Sequence, residues 1–185
     1  MATDPHLRLL TAAEFLQIEF GPDMKAELDE GVIRMMAGGS RDHARVQMNL
    51  AGFLGNALRG SGYRPFGSDM AIATTVASVR YPDLTIDCGT PSDTADDRIL
   101  HDPRVVMEVL SPSTRRSDEG AKLAEYRALA SVDTIVLIDP DAERCRVLQR
   151  TGPSAWSDVT YTAPAAIELP SLGLAIPHAE IFARD

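Results

Sequence analysis

The chain has 185 residues, 44% hydrophobic and 24% charged, with a formal net charge of −9. That length fits one domain able to bury a core, and the acidic balance argues against binding nucleic acid over the whole surface, though a local basic groove stays open. No stretch approaches the roughly 20 apolar residues of a membrane span. The start, Met1-Ala-Thr-Asp-Pro-His, lacks the basic and apolar regions of a signal peptide. Cys88 and Cys145 are too few for a disulfide framework or a zinc site, so a reducing cytoplasm is expected.

Thr11 to Phe20 reads as a short helix, capped by Thr11 with Glu14 in a capping box and ended by Gly21-Pro22. Lys25 to Met36 reads as a hairpin turning at Asp29-Glu30-Gly31. Ser40 caps a helix that runs to about Arg59, with Val46, Leu50, Phe53, Leu54 and Leu58 as its apolar stripe. One or two short strands follow between Tyr63 and Ile72, then a hairpin arm near Val76 to Cys88. In that arm a period of two puts Asp83, Thr85 and Asp87 on one face and Leu84, Ile86 and Cys88 on the other. Residues 89–102 are polar and read as a surface loop.

Val105 to Leu110 is short, apolar and rich in β-branched residues, and Ser111-Pro112 closes it, which reads as a buried strand. A helix starting at Ser117 follows, with Asp118, Lys122 and Tyr126 spaced by four along one face. Thr134 to Asp139, Arg144 to Arg150, Trp156 to Thr162 and Ile167 to Ile176 read as strands, and His178 to Ala183 as a brief terminal helix. The order predicts a single α/β domain over 1–185, a mixed β-sheet flanked by helices.

Glu108 stands amid valines and leucines, where a carboxylate is costly without a positive partner. If its strand neighbours that of Asp83, about 4.8 Å away, the two acids can grip one hydrated Mg²⁺, and Lys122 from the next helix can offset charge on a phosphate. The alternatives are a strand-end aspartate for Asp83, a buried salt bridge to Arg80 or Arg104 for Glu108, and an exposed pair with Asp118 for Lys122. His43 and Gln47, one helical turn apart, point into one cleft, or His43 makes only local hydrogen bonds. Arg115 and Arg116 suit phosphate contacts, or are ordinary surface arginines. Tyr126 suits core packing or hydrogen bonding, and Trp156 the core or an interface.

Pro82-Asp83, Glu108-Val-Leu-Ser-Pro-Ser-Thr114, Asp118-x-x-x-Lys122-x-x-x-Tyr126 and Val136-Leu-Ile-Asp139-Pro140 together resemble the Uma family of bacterial putative restriction endonucleases, in the PD-(D/E)XK nuclease superfamily. Glu14-Phe15-Leu16, the hairpin Glu27-Leu28-Asp29-Glu30-Gly31 and His43 extend the likeness over nearly the whole chain. The resemblance implies an αβββαβ core and cleavage of DNA phosphodiester bonds. It implies Asp83 and Glu108 as metal ligands, joined by the backbone carbonyl of Val109, with Mg²⁺ or Mn²⁺ as cofactor. Glu27 matches a family position from which it can assist the metal through water, or is a solvated hairpin acid. Position 110, where the superfamily has lysine, is leucine, so the catalytic lysine is expected at Lys122. A cytoplasmic homodimer acting on DNA is the expectation. The rival is an inactive nuclease fold kept as a DNA-binding or protein-interaction module, which an apolar plug over the two acids would favour.

Overall fold

The computed structural model describes residues 8–21, 24–36, 38–90 and 97–184. Its centre is a six-stranded sheet, assembled from β3 (Arg64–Gly67), β6 (Leu84–Asp87), β7 (Pro103–Val109), β8 (Thr134–Asp139), β9 (Arg144–Arg150) and β10 (Trp156–Thr162) in the order β10-β9-β8-β7-β6-β3. β7 and β8 pair in parallel and the other neighbours antiparallel, so the sheet is mixed as expected. β8 is buried along its whole length and β7 nearly so, which is why both read as unbroken apolar runs.

Helices cover both faces of this sheet. α2 (Arg41–Ala57) starts where the Ser40 side chain accepts the His43 N–H at 3.2 Å. Its buried stripe, Val46, Leu50 and Leu54, packs with Leu84, Ile86, Met107 and the terminal α5 (His178–Phe182). On the other face the core gathers Val106, Ile135, Leu137, Leu123 and Tyr126. The last two lie on α4 (Leu123–Ala128). Each fully buried leucine contributes about 1.5–3 kcal/mol of transfer free energy. Taken in sequence, α2, β3, β6, β7, the helical stretch before β8, and β8 itself trace the αβββαβ order.

A second, wholly antiparallel sheet has the order β2-β1-β5-β4, built from β1 (Ala26–Asp29), β2 (Val32–Met35), β4 (Ile72–Thr75) and β5 (Ser78–Arg80). The expected arm from Val76 to Cys88 is therefore two strands in two sheets, β5 in the second and β6 in the first. Tyr81-Pro82-Asp83 is the crossing between them, because proline cannot donate to a ladder. Asp83 lies at the bend before β6 rather than within a strand. Its neighbours follow the expected alternation: Leu84 and Ile86 pack against α2, while Thr85 pairs opposite Phe66 and Val106.

Two helices differ from their predicted spans. α1 (Ala12–Phe15) has the expected Thr11–Glu14 capping box but stops after four residues, since the chain turns there to pack Ile18 and Phe20 on the second sheet. Pro22 of the expected stop lies outside the described residues. The helix before β8 begins earlier than Ser117 and is not uniform. It is α-helical over α3 (Arg115–Ser117), π-helical over Asp118–Lys122, and α-helical again over α4. Ser117 makes no side-chain cap. The stretch from Ile167 to Ile176 is a small hairpin, β11 (Ile167–Leu169) and β12 (Leu174–Ile176). No helix among the described residues is long and apolar enough to cross a membrane.

Candidate functional site

The ends of β6 and β7, the start of α2 and the π-helical turn converge on a cavity of about 380 Å³. His43, Gln47, Asp83, Glu108, Asp118 and Lys122 line it, and exposed Gly38, Gly39 and Ser113 form part of its rim. Residues separated widely in sequence thus meet in one polar space.

Asp83 is anchored there by three residues, Val109 on β7 and His43 and Gln47 on α2. Its Oδ2 accepts the backbone N–H of Val109 at 2.8 Å and lies 3.1 Å from His43 Nε2. Its backbone carbonyl accepts from the Gln47 amide at 2.9 Å. The hydrogen bond to Asp83, then the nearby charges of Asp83 and Asp118, hold the His43 pKa above its usual value against the opposing effect of burial. His43 and Gln47 therefore do point into one cleft, and His43 bonds across it rather than only locally. Val109 itself is in the core and does not line the cavity; its N–H fixes Asp83.

Glu108 is 3% exposed. Its Oε1 accepts the Tyr126 hydroxyl at 2.7 Å and is 3.6 Å from Lys122 Nζ. The expected alternative partners are engaged elsewhere: Arg80 with Glu27, Asp29 and Glu125, and Arg104 with Asp133. Burial, and then the charges of Asp118 and Asp83, push the Glu108 carboxyl up to about 8, against the pull of Lys122. Burial also raises the pKa of Asp118.

Lys122 is buried, not half of an exposed surface pair. Its ammonium lies 2.9 Å from Glu27, 3.3 Å from Asp118 and 3.6 Å from Glu108. These carboxylates hold its proton tightly against the cost of burial. Glu27 is 6% exposed rather than a solvated hairpin acid, and it lines an adjoining cavity of about 340 Å³ that Lys122 also borders. The two arginines expected to contact phosphate do not line the main cavity: Arg115 pairs with Asp139 at 3.1 Å and Glu119 at 3.7 Å, and Arg116 is exposed on the surface. Trp156 is partly buried beneath Arg150, whose guanidinium carbon lies 4.4 Å from the ring centre.

Glu27, Asp83, Glu108 and Asp118 thus supply hard oxygen donors in excess of one ammonium. Asp118 Oδ1 is buried beside Lys122 without an aligned hydrogen bond. This donor chemistry fits a hydrated Mg²⁺ or Mn²⁺, which takes few protein ligands and keeps several waters. No three His, Cys, Asp or Glu side chains among the described residues already form a metal cage, so the fit is to a two-carboxylate site completed by water. Sequence reading missed Glu125 behind this site, weighed Arg80 only as a partner of Glu108, and took Asp118 only as a helix-face partner. Their contacts cross 45 to 51 residues, which local spacing does not encode.

A family model described as "Uma2: Putative restriction endonuclease" matches residues 12–179. An uncharacterized protein of Synechocystis is 32% identical over 151 residues, covering 80% of this chain and 85% of that protein. A second uncharacterized Synechocystis protein is 29% identical over 166 residues, covering 89% and 87%. The crystal structure of a putative nuclease belonging to DUF820 from Anabaena variabilis has the same fold, with a TM-score of 0.76 at 19% identity over 94% of this chain and 98% of that one.

Proposed function

The chain belongs to the Uma2 family of putative restriction endonucleases, and from that premise we propose that it is a metal-dependent DNA endonuclease working at the cavity around Asp83, Glu108 and Lys122. The observation that carries this reading is the meeting of two strand-end acids and a helix lysine in one polar cavity. The rival module would have an apolar plug there; His43, Gln47, Asp118 and Lys122 favour the enzyme instead.

Asp83 and Glu108, both lining the cavity, would hold Mg²⁺ or Mn²⁺ with water completing its shell, and the expected third ligand at Val109 is set aside because that residue does not line the cavity. The bound cation supplies a more acidic water and polarises the phosphate. Val109 N–H and His43 fix the Asp83 carboxylate in place, and Tyr126 fixes Glu108. Lys122 offers a preorganised positive charge to the phosphate oxygens as negative charge builds on them. A homodimer in the cytoplasm, with DNA as partner, completes the proposal; sedimentation analysis reads the oligomeric state.

The test is a cleavage assay on duplex, branched and single-stranded DNA, with and without Mg²⁺ or Mn²⁺. The parent should cut at least one form only with metal, and Asp83→Asn should cut none. A parent that leaves every form intact under all conditions would sink the enzyme reading in favour of the module.

A further inference from the structure

Lys122 has three acidic neighbours, and the nearest is neither of the acids assigned to the metal. Its ammonium is 2.9 Å from Glu27 Oε1 but 3.6 Å from Glu108 Oε1. Charge attraction grows as separation falls and water is excluded, so Glu27 holds the ammonium more closely than Glu108 does. Glu27 is itself fixed from two sides. Oε1 also accepts the backbone N–H of Tyr81 at 3.2 Å, and Oε2 lies 3.6 Å from Arg80 Nη1.

Arg80 is 1% exposed and sits on β5, which pairs with β1, the strand of Glu27. Its guanidinium forks onto Glu125 at 2.8 and 2.6 Å and reaches Asp29 at 2.6 Å. Glu125 is on α4, three residues beyond Lys122. One guanidinium therefore ties the strand that carries the lysine's acceptor to the helix that carries the lysine.

Resting on the metal reading above, we propose that Glu27, held by Arg80, is a positioning residue that draws the Lys122 ammonium off Glu108 and leaves that carboxylate open to the divalent cation. Lysine has a flexible stem and a compact charge, so its ammonium goes to whichever acid holds it best. Without the charge at position 27, Asp118 and Glu108 gain it. An ammonium on Glu108 then repels a cation on the same carboxylate.

The readout is Mn²⁺ affinity of the full chain by calorimetry, with circular dichroism as the fold control. Glu27→Gln keeps the size and removes the charge. It should weaken Mn²⁺ binding by about 10- to 100-fold, the usual loss when a residue that orients a metal ligand is removed. In a Lys122→Met background the same change should leave affinity unaltered, because no ammonium remains to be misplaced. Equal losses in both backgrounds would mean a merely structural Glu27 and overturn the proposal. If Lys122→Met does not fold, the crystal structure of Glu27→Gln decides. A Lys122–Glu108 separation shorter than the present 3.6 Å supports the proposal and an unchanged one overturns it. Arg80→Lys, which keeps the charge but loses the fork, should shift Mn²⁺ affinity in the same direction as Glu27→Gln. Unchanged affinity in Glu27→Gln with a parent that binds Mn²⁺ sinks this proposal alone. A parent that binds no Mn²⁺ sinks the metal reading with it.

Discussion

Lys122 was legible as a residue spaced four from Asp118, but spacing gives a shared helix face and not what that face meets. Here it meets Glu27 and Glu108 in the interior, which only long-range packing decides. Position 110 is leucine and buried, so that residue offers no cation, and we propose Lys122 for the role. Lys122→Ala should lower turnover on DNA about 100-fold or more, the scale of losing one preorganised charge, while Mn²⁺ binding by calorimetry persists. Turnover equal to the parent would move the catalytic cation elsewhere. Glu108 carries a second consequence. Its folded-state pKa of about 8 stands above the ordinary value of about 4.3. A group shifted upward favours the folded chain fully below its unfolded pKa, and that contribution is lost as pH rises through the folded pKa. The metal-free parent should therefore melt at progressively lower temperature from about pH 4 to about pH 8, and Glu108→Gln should flatten that slope in a pH series of melting curves. An identical slope in both proteins would remove Glu108 as its source.

At the scale of elements, apolar runs gave β7 and β8 and capping residues gave α2, because those signals are local. The division of residues 76–88 between two sheets was not legible, since a period of two looks the same whichever sheet a strand joins. Nor was the π-helical turn at Asp118–Lys122, because sequence patterns presume 3.6 residues per turn. Such turns often occur at functional sites, and this one carries both Asp118 and Lys122 to the cavity wall. The β1–β2 hairpin was legible down to its turn. Glu30 and Gly31 both have positive φ, +48° and +83°, as a two-residue hairpin turn of the primed type requires. A Cβ on Gly31 would also approach Leu9 Cβ to 2.6 Å. Gly31→Ala should therefore cost about 1–3 kcal/mol in urea unfolding. A loss within a few tenths of that of a neutral surface change would mean the turn relaxes freely.

For the whole molecule, alternating apolar runs and caps pointed to an α/β domain with a mixed sheet and the family resemblance to its αβββαβ core, but neither gave the second sheet, because a pairing such as Leu28 with Val79 is too distant in sequence to leave a periodic trace. That sheet matters for the chemistry, as it carries Glu27 and Arg80 to the back of the cavity. The same assembly leaves the molecule at a net charge of −9, with carboxylates crowded around one ammonium. A divalent cation bound only by the folded chain would relieve that crowding and stabilise it by mass action. At a concentration about 100 times its dissociation constant, it adds about 2.7 kcal/mol. For a domain of this size that is a rise of about 5–10 °C in melting temperature. Mn²⁺ should produce that rise in the parent and not in Asp83→Asn. The rise should grow from pH 6 toward the Glu108 pKa of about 8, since only the ionised carboxylate binds a cation. A rise that is equal in Asp83→Asn would come from general screening of the acidic surface, and the cavity would lose its claim to the metal.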